Sequence, residues 1–149
     1  MAEETKNKLG YIFAVGRRKG AVARVRLYTD IKNVELEGEE AVKGGLYVNN
    51  KKIENYFTDK VASSYYLEPL KSTNALGKYV ITIRVVGGGQ TGQLGAVIHG
   101  MARVLSAMDE KNRDILKKKG FLTRDARVRQ RRNVGMGGKS RRAKQSPKR

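Results

Sequence analysis

The chain has no cysteine and only one histidine in 149 residues. Without thiols there is no disulfide, no cysteine-bound zinc and no thiol nucleophile. The one imidazole, His99, lies on a glycine-containing segment beside an apolar stripe, where a satisfied or surface histidine is a plainer reading than a general base. No pair of carboxylates has a spacing that suggests a shared catalytic site. Neither enzymatic activity nor a cofactor or metal is expected. Long apolar runs are also missing, and nothing approaches the roughly 18 residues of a membrane-spanning helix. The start, Met1-Ala2-Glu3-Glu4, lacks the basic-then-apolar order of a signal peptide, so a soluble interior location is expected.

Acidic residues are scarce: 14 against 32 lysines and arginines, a net charge of +18. The imbalance is local. From Lys111 to Arg149 there are 16 basic and 2 acidic residues, which is +14 of that total and leaves +4 for everything before. A stretch this basic with so few apolar side chains cannot offset its ordering entropy, and its like charges repel until a polyanion neutralises them. A membrane surface fits poorly, since Val128, Val134 and Met136 are too thinly spread to form an apolar stripe. A solubilising or nuclear-targeting tail is the bland alternative. The length of the segment, with Gly, Ser and Gln letting it run extended between phosphates, favours RNA.

Before the tail, the pattern is that of a folded body. Tyr11 to Val15 and Ala21 to Tyr28 are rich in β-branched, aromatic and small apolar residues and predict a hairpin closed by Gly16-Arg17-Arg18-Lys19-Gly20, with three cations at its tip. In the second strand Ala23, Val25 and Leu27 share one face, and Arg24 and Arg26 the other. Glu35, Glu37 and Glu39 either line a strand face able to hold a cation or form a solvated edge, the plainer reading. Leu46 to Lys51 predicts a short strand and turn. Ile53 to Leu70 predicts helix in two pieces, the second capped by Asp59, placing Val61, Ala62, Tyr65 and Tyr66 on one side before Pro69 disturbs it. Its tyrosines suit core packing better than base stacking. Lys78 to Val86 is a strand. Leu94, Val97, Ile98, Met101, Leu105 and Met108 recur at helical spacing. Asp109 to Lys119 predicts a last helix with Ile115 and Leu116 as anchors and Gly120 as stop. From Phe121 onward no periodicity survives.

Two motifs resemble nucleotide-binding loops without their context. Gly87-Gly88-Gly89-Gln90-Thr91-Gly92 matches G-x-G-x-x-G between a strand and a helix. Asp109, at the distance of the ribose-binding acid, lies past that helix rather than on a following strand, and too little chain remains for a doubly wound sheet. Glycines ahead of a helix still permit an anion such as an RNA phosphate to approach. Gly95 and Gly100 inside the helix suggest close approach of another backbone or of RNA. Asn133 to Ser140 ends like a Walker loop, but has Asn133 in place of the first glycine and no preceding strand.

The stretches Gly16 to Val25, Val48-Asn49-Asn50 with Tyr56-Phe57, and Pro69-Leu70 resemble the bacterial form of the small ribosomal subunit protein nine family. So do Leu122-Thr123-Arg124-Asp125, Arg141-Arg142-Ala143 and, most specifically, Gly87 to Arg103. The resemblance implies an α/β (α+β) two-layer body, similar to the second domain of another small-subunit ribosomal protein, with a mixed sheet of about four strands carrying helices. It implies a flexible N-terminus over 1–10, a globular RNA-binding domain over 11–120 and an extended basic tail over 121–149. The implied partners are small-subunit ribosomal RNA, neighbouring proteins of the subunit head and peptidyl-site transfer RNA, in the cytoplasm. Ribosomal RNA contacts then fall to Arg17, Arg18, Lys19, Arg24, Arg26, Gly88, Gly89, Gln90, Arg103, Arg124, Arg127, Arg129, Arg131, Arg132, Lys139, Arg141 and Arg142. Transfer RNA contacts fall to Lys148 and Arg149. The chain departs from the family pattern at its end, Gln145-Ser146-Pro147-Lys148-Arg149, which carries a proline and no aromatic residue, and in the longer, more acidic stretch from Asp30 to Gly45. The alternative is a general nucleic-acid compaction or chaperone protein outside the ribosome.

Overall fold

The computed structural model describes residues 10–30, 34, 36 and 41–134. The glutamate strand proposed at 35–39, the tail contacts at Lys139, Arg141, Arg142, Lys148 and Arg149, and the N-terminal 1–9 lie outside the described residues.

Among the described residues five strands form one mixed sheet in the order β1-β2-β5-β3-β4. They are β1 Tyr11–Arg18, β2 Ala21–Tyr28, β3 Leu46–Val48, β4 Lys51–Lys52 and β5 Val80–Val86. The first three strands in that order are antiparallel, and β3 joins β5 in parallel. The strand beyond the expected four is the two-residue β4, folded back by a turn in which Asn49 and Asn50 both take positive φ (48° and 65°). Asparagine tolerates this left-handed backbone better than most side chains.

The hairpin turn is tighter than its sequence suggests. β1 runs on through Gly16, Arg17 and Arg18, leaving Lys19 and Gly20 as the turn, with Lys19 rather than Gly20 at positive φ (50°). Lys19 is thus the only cation at the tip, and Arg17 and Arg18 point to opposite faces of the sheet.

Among the described residues there are four helices: α1 Ile53–Tyr56, α2 Lys60–Ser72, α3 Gln90–Met108 and α4 Glu110–Lys118. Asp59 caps α2 by accepting from the Val61 N–H. Only Ala62 and Tyr66 of the expected apolar side are buried, while Val61 and Tyr65 are exposed. The helix continues through Pro69, which loses one intrahelical bond but is buried with Leu70. It closes at Asn74 (φ 50°), with the Ala75 N–H returning to the Leu70 carbonyl. α4 ends the same way at Gly120 (φ 78°), the Phe121 N–H reaching the Leu116 carbonyl. Leu116 is fully buried, but Ile115 is exposed and anchors nothing.

The core lies between one sheet face and α3. Val25, Leu27, Ile81 and Ile83 meet Val97, Met101, Val104 and Leu105, all at most 3% exposed. Each such side chain contributes about 1.5–3 kcal/mol of transfer free energy. The buried stripe of α3 is displaced from the one drawn through its large residues. Gly92, Ala96 and Gly100 are buried, whereas Leu94, Ile98 and Met108 are only partly so. Small residues win the central position because α3 crosses β1 at near backbone contact. A Cβ on Gly16 would overlap the Ala96 carbonyl and the Gly100 backbone, and one on Gly100 would lie 2.6 Å from Val25 Cγ2.

Asn49 extends the sheet with its side chain. Its Oδ1 accepts from the Val85 N–H (2.9 Å), its Nδ2 donates to the Val85 carbonyl (3.1 Å), and its own N–H reaches the Ile83 carbonyl (2.9 Å). Asn49→Ala leaves both Val85 groups unpaired and places a Cβ residue without a compensating amide at positive φ. A loss of about 2 kcal/mol is expected, read as a lower urea midpoint at unchanged m-value.

Candidate nucleic-acid interface

Four exposed arginines of the body, Arg17, Arg24, Arg26 and Arg84, collect on the open face of the sheet. Strand alternation puts Phe13, Val15 and Arg17 of β1, Val22, Arg24 and Arg26 of β2, and Thr82, Arg84 and Val86 of β5 on this side. Pairing makes rows of them: Phe13-Arg26-Thr82, Val15-Arg24-Arg84 and Arg17-Val22-Val86. Arg17, Arg24, Arg26 and Arg84 are all exposed, as are Phe13 and Val86, at 49% and 56%. One end of the face is covered, where Val34, Leu36 and Ala41 pack on Tyr28, Tyr47 and Val80. Arg26 also stands 5.0 Å from the Tyr11 ring centroid, a cation–π contact that leaves its N–H donors available. Arg84 was not among the candidates drawn from the sequence. Only the β2–β5 register brings it opposite Arg24.

Around the hairpin turn the candidates are used differently. The Arg18 side chain lies across Gly95, where a Cβ would be 2.5 Å from its Cδ, and its guanidinium forms an ion pair with Asp125. Gly95 therefore makes room for a side chain, whereas Gly100 admits a backbone. Asp125 also takes Arg127 in a two-pronged pair, with Nη2 at 2.7 Å and Nε at 3.0 Å from Oδ2, and accepts from the Arg127 N–H at 2.9 Å. Hydrogen bonds from Arg127 and then Arg18 hold this carboxyl well below the usual carboxylate range. The pairing fastens the root of the basic tail to the end of β1. A lone acid inside a run of cations was the available signal for this.

The outer edge of β1 is closed by α3. The Arg17 N–H donates to His99 Nδ1 (3.5 Å) and Arg103 Nη1 donates to the Val15 carbonyl, removing an edge open to pairing. Burial, then the nearby Arg103 charge, lower the His99 pKa, and a hydrogen bond with the Leu122 backbone partly opposes them. The ring is a neutral structural link between edge and tail root. Phe121 and Leu122 pack against the core just there.

The glycine run is wired to the rest of the body. Gly87 and Gly88 take positive φ (74° and 65°), and a Cβ on either would press on Gly20 or Ala21. Gln93 Nε2 donates to the Gly87 carbonyl (3.1 Å), Tyr56 Oη donates to Gln93 Oε1 (2.9 Å), and Asn49 Nδ2 reaches Tyr56 Oη (3.5 Å). Gly89 caps α3, and Gly88, Gly89 and Gln90 are exposed beside the hairpin turn. Asp109 caps α4 by accepting from the Lys111 N–H, which is a structural use rather than recognition of a ribose. Arg124, Arg129 and Arg131 are exposed along the departing chain, with Arg132 half-buried. Among the described residues there is no cluster of His, Cys, Asp or Glu able to hold a metal, and no helix is long and apolar enough to cross a membrane.

The chain is similar to the small ribosomal subunit protein uS9 of Maridesulfovibrio salexigens, 44% identical over 126 residues that cover 85% of this chain and 88% of that protein. Residues 16–149 match the family model described as ribosomal protein S9/S16. That span takes in the glycine wiring at Gly87, the Asp125 anchor and the basic tail alike, and on this match the chain belongs to that family.

Proposed function

We propose that the chain is a structural constituent of the bacterial small ribosomal subunit, working by charge and shape rather than catalysis. It binds ribosomal RNA in the subunit head, beside neighbouring ribosomal proteins, and reaches peptidyl-site transfer RNA with Lys148 and Arg149. The observation that carries this reading is the division of charge, with +14 of +18 placed from Lys111 onward. A cytoplasmic location in the ribosome goes with it.

The body supplies a fixed origin for the tail. With Asp125 held by Arg18 and Phe121 and Leu122 packed on the core, Arg129, Arg131 and Arg132 leave the body from a fixed point. Less entropy is then lost when they meet phosphates than for a tail hinged at a loose joint. Gly88, Gly89 and Gln90, exposed at the N-terminus of α3, stand ready for a backbone phosphate beside Lys19. Removing Lys148 and Arg149 is expected to weaken peptidyl-site transfer RNA binding by reassembled subunits severalfold while leaving incorporation of the protein intact. Filter binding and subunit stoichiometry measure the two. Recovery of the protein mainly with free DNA, rather than one copy per small subunit, would sink the reading in favour of a general compaction protein.

A further inference from the structure

His99 is the one imidazole in the chain, and it stands where α3, the outer edge of β1 and the start of the tail meet. Its Nδ1 accepts the Arg17 N–H (3.5 Å). The Leu122 backbone bonds the ring in the sense that favours its protonated form, as a carbonyl acceptor does. One ring nitrogen therefore accepts and the other donates, a division available only to the neutral imidazole. The arrangement joins β1 to the chain leaving α4, where Phe121 and Leu122 pack on the core.

The surroundings oppose a second proton on the ring. Burial acts most strongly, then Arg103 one turn along α3, and Arg124, two residues past Leu122, adds to them. From β1 the ring meets the Arg17 N–H, a donor. Asp125, beside Arg124, is already taken by Arg18 and Arg127.

We infer that His99 is an acid-sensitive latch on the tail root, closed while the ring is neutral and opened when Nδ1 takes up a proton. A protonated Nδ1 faces the Arg17 N–H donor to donor and sets a further cation beside Arg103 and Arg124. In the opened form the ring meets water and titrates near its ordinary value of about 6.5, so the opened form binds the proton more readily. The latch contributes fully above about pH 6.5 and is lost as pH falls toward the lower value of the closed ring. The Asp125 pair persists through the same range, because its partners hold that carboxyl well below the usual carboxylate range. Acid thus loosens one of two fastenings of the tail root and leaves the other.

Nuclear magnetic resonance of the free full chain tests this, since a single histidine gives a single imidazole titration curve. The ring is expected to titrate below about 6.5. Across that titration the protection factor of the Arg17 amide, corrected for intrinsic exchange, should fall by up to about 10-fold for each pH unit that separates the closed ring from the open one. The Val25 amide, in a strand paired on both sides, should keep its protection. His99→Gln retains an acceptor and a donor without a titrating group, and its Arg17 protection should be the same at about pH 7.5 and about pH 5. An imidazole that titrates at its ordinary value or above overturns the inference. So does an Arg17 amide equally protected on both sides of the titration, and so does a loss of protection in acid that persists in His99→Gln. The first two readings come from the wild-type chain and decide the matter even if the variant does not fold.

Discussion

Gly16→Ala is expected to destabilise the protein by about 3 kcal/mol. The added Cβ would overlap the Ala96 carbonyl and the backbone of Gly100. Neither can yield as a side chain yields. Relief requires α3 to lift from β1, and the contacts of Val97, Met101 and Val104 with the sheet would be lost in proportion. Gly20→Ala, one turn away with open space around it and no positive φ, is the matched control and should change stability by less than about 0.5 kcal/mol. Urea unfolding of both variants, followed by circular dichroism, gives the comparison. Equal midpoints would mean that α3 does not sit against β1 at backbone distance.

The second large effect is on RNA affinity, and its lever is salt. If about eight phosphates are neutralised by the basic residues, log affinity falls with log salt at a slope of roughly −6 to −7. Binding to the ribosomal RNA transcript then weakens by about 10³- to 10⁴-fold between 50 and 200 mM. Anisotropy titrations of the full chain at four or five salt concentrations measure the slope directly. A slope near zero would remove the electrostatic basis of the function, because nothing else in the chain accounts for +14 in its last stretch.

Much of the body was legible in the residues because its signals are local. The alternation in β2, with Ala23, Val25 and Leu27 against Arg24 and Arg26, is a property of eight consecutive residues. The cap at Asp59 and the stop at Gly120 are likewise read within one helical turn. Where expectation and structure part, a distant element has intervened. The α3 stripe drawn through Leu94, Ile98 and Met108 gives way to Ala96 and Gly100, since hydrophobic periodicity weights large side chains and cannot register a backbone that needs small ones. The hairpin connection shrinks to Lys19 and Gly20 because Gly16 is required inside the strand where α3 crosses it.

By itself the amino-acid sequence determined the partition into a nearly neutral body and a basic arm, the element types, the dispensability of thiols and the family. Each of these depends on composition or on spacing within a few residues. Only the tertiary structure decided which cations are already committed. Arg18 is drawn to Asp125 from more than a hundred residues away, Arg103 to the edge of β1, and Arg84 is set against Arg24 across the sheet. An ion pair or a repulsion depends on distance in space, and strand register sets that distance between residues whose positions in the chain carry no mark of it.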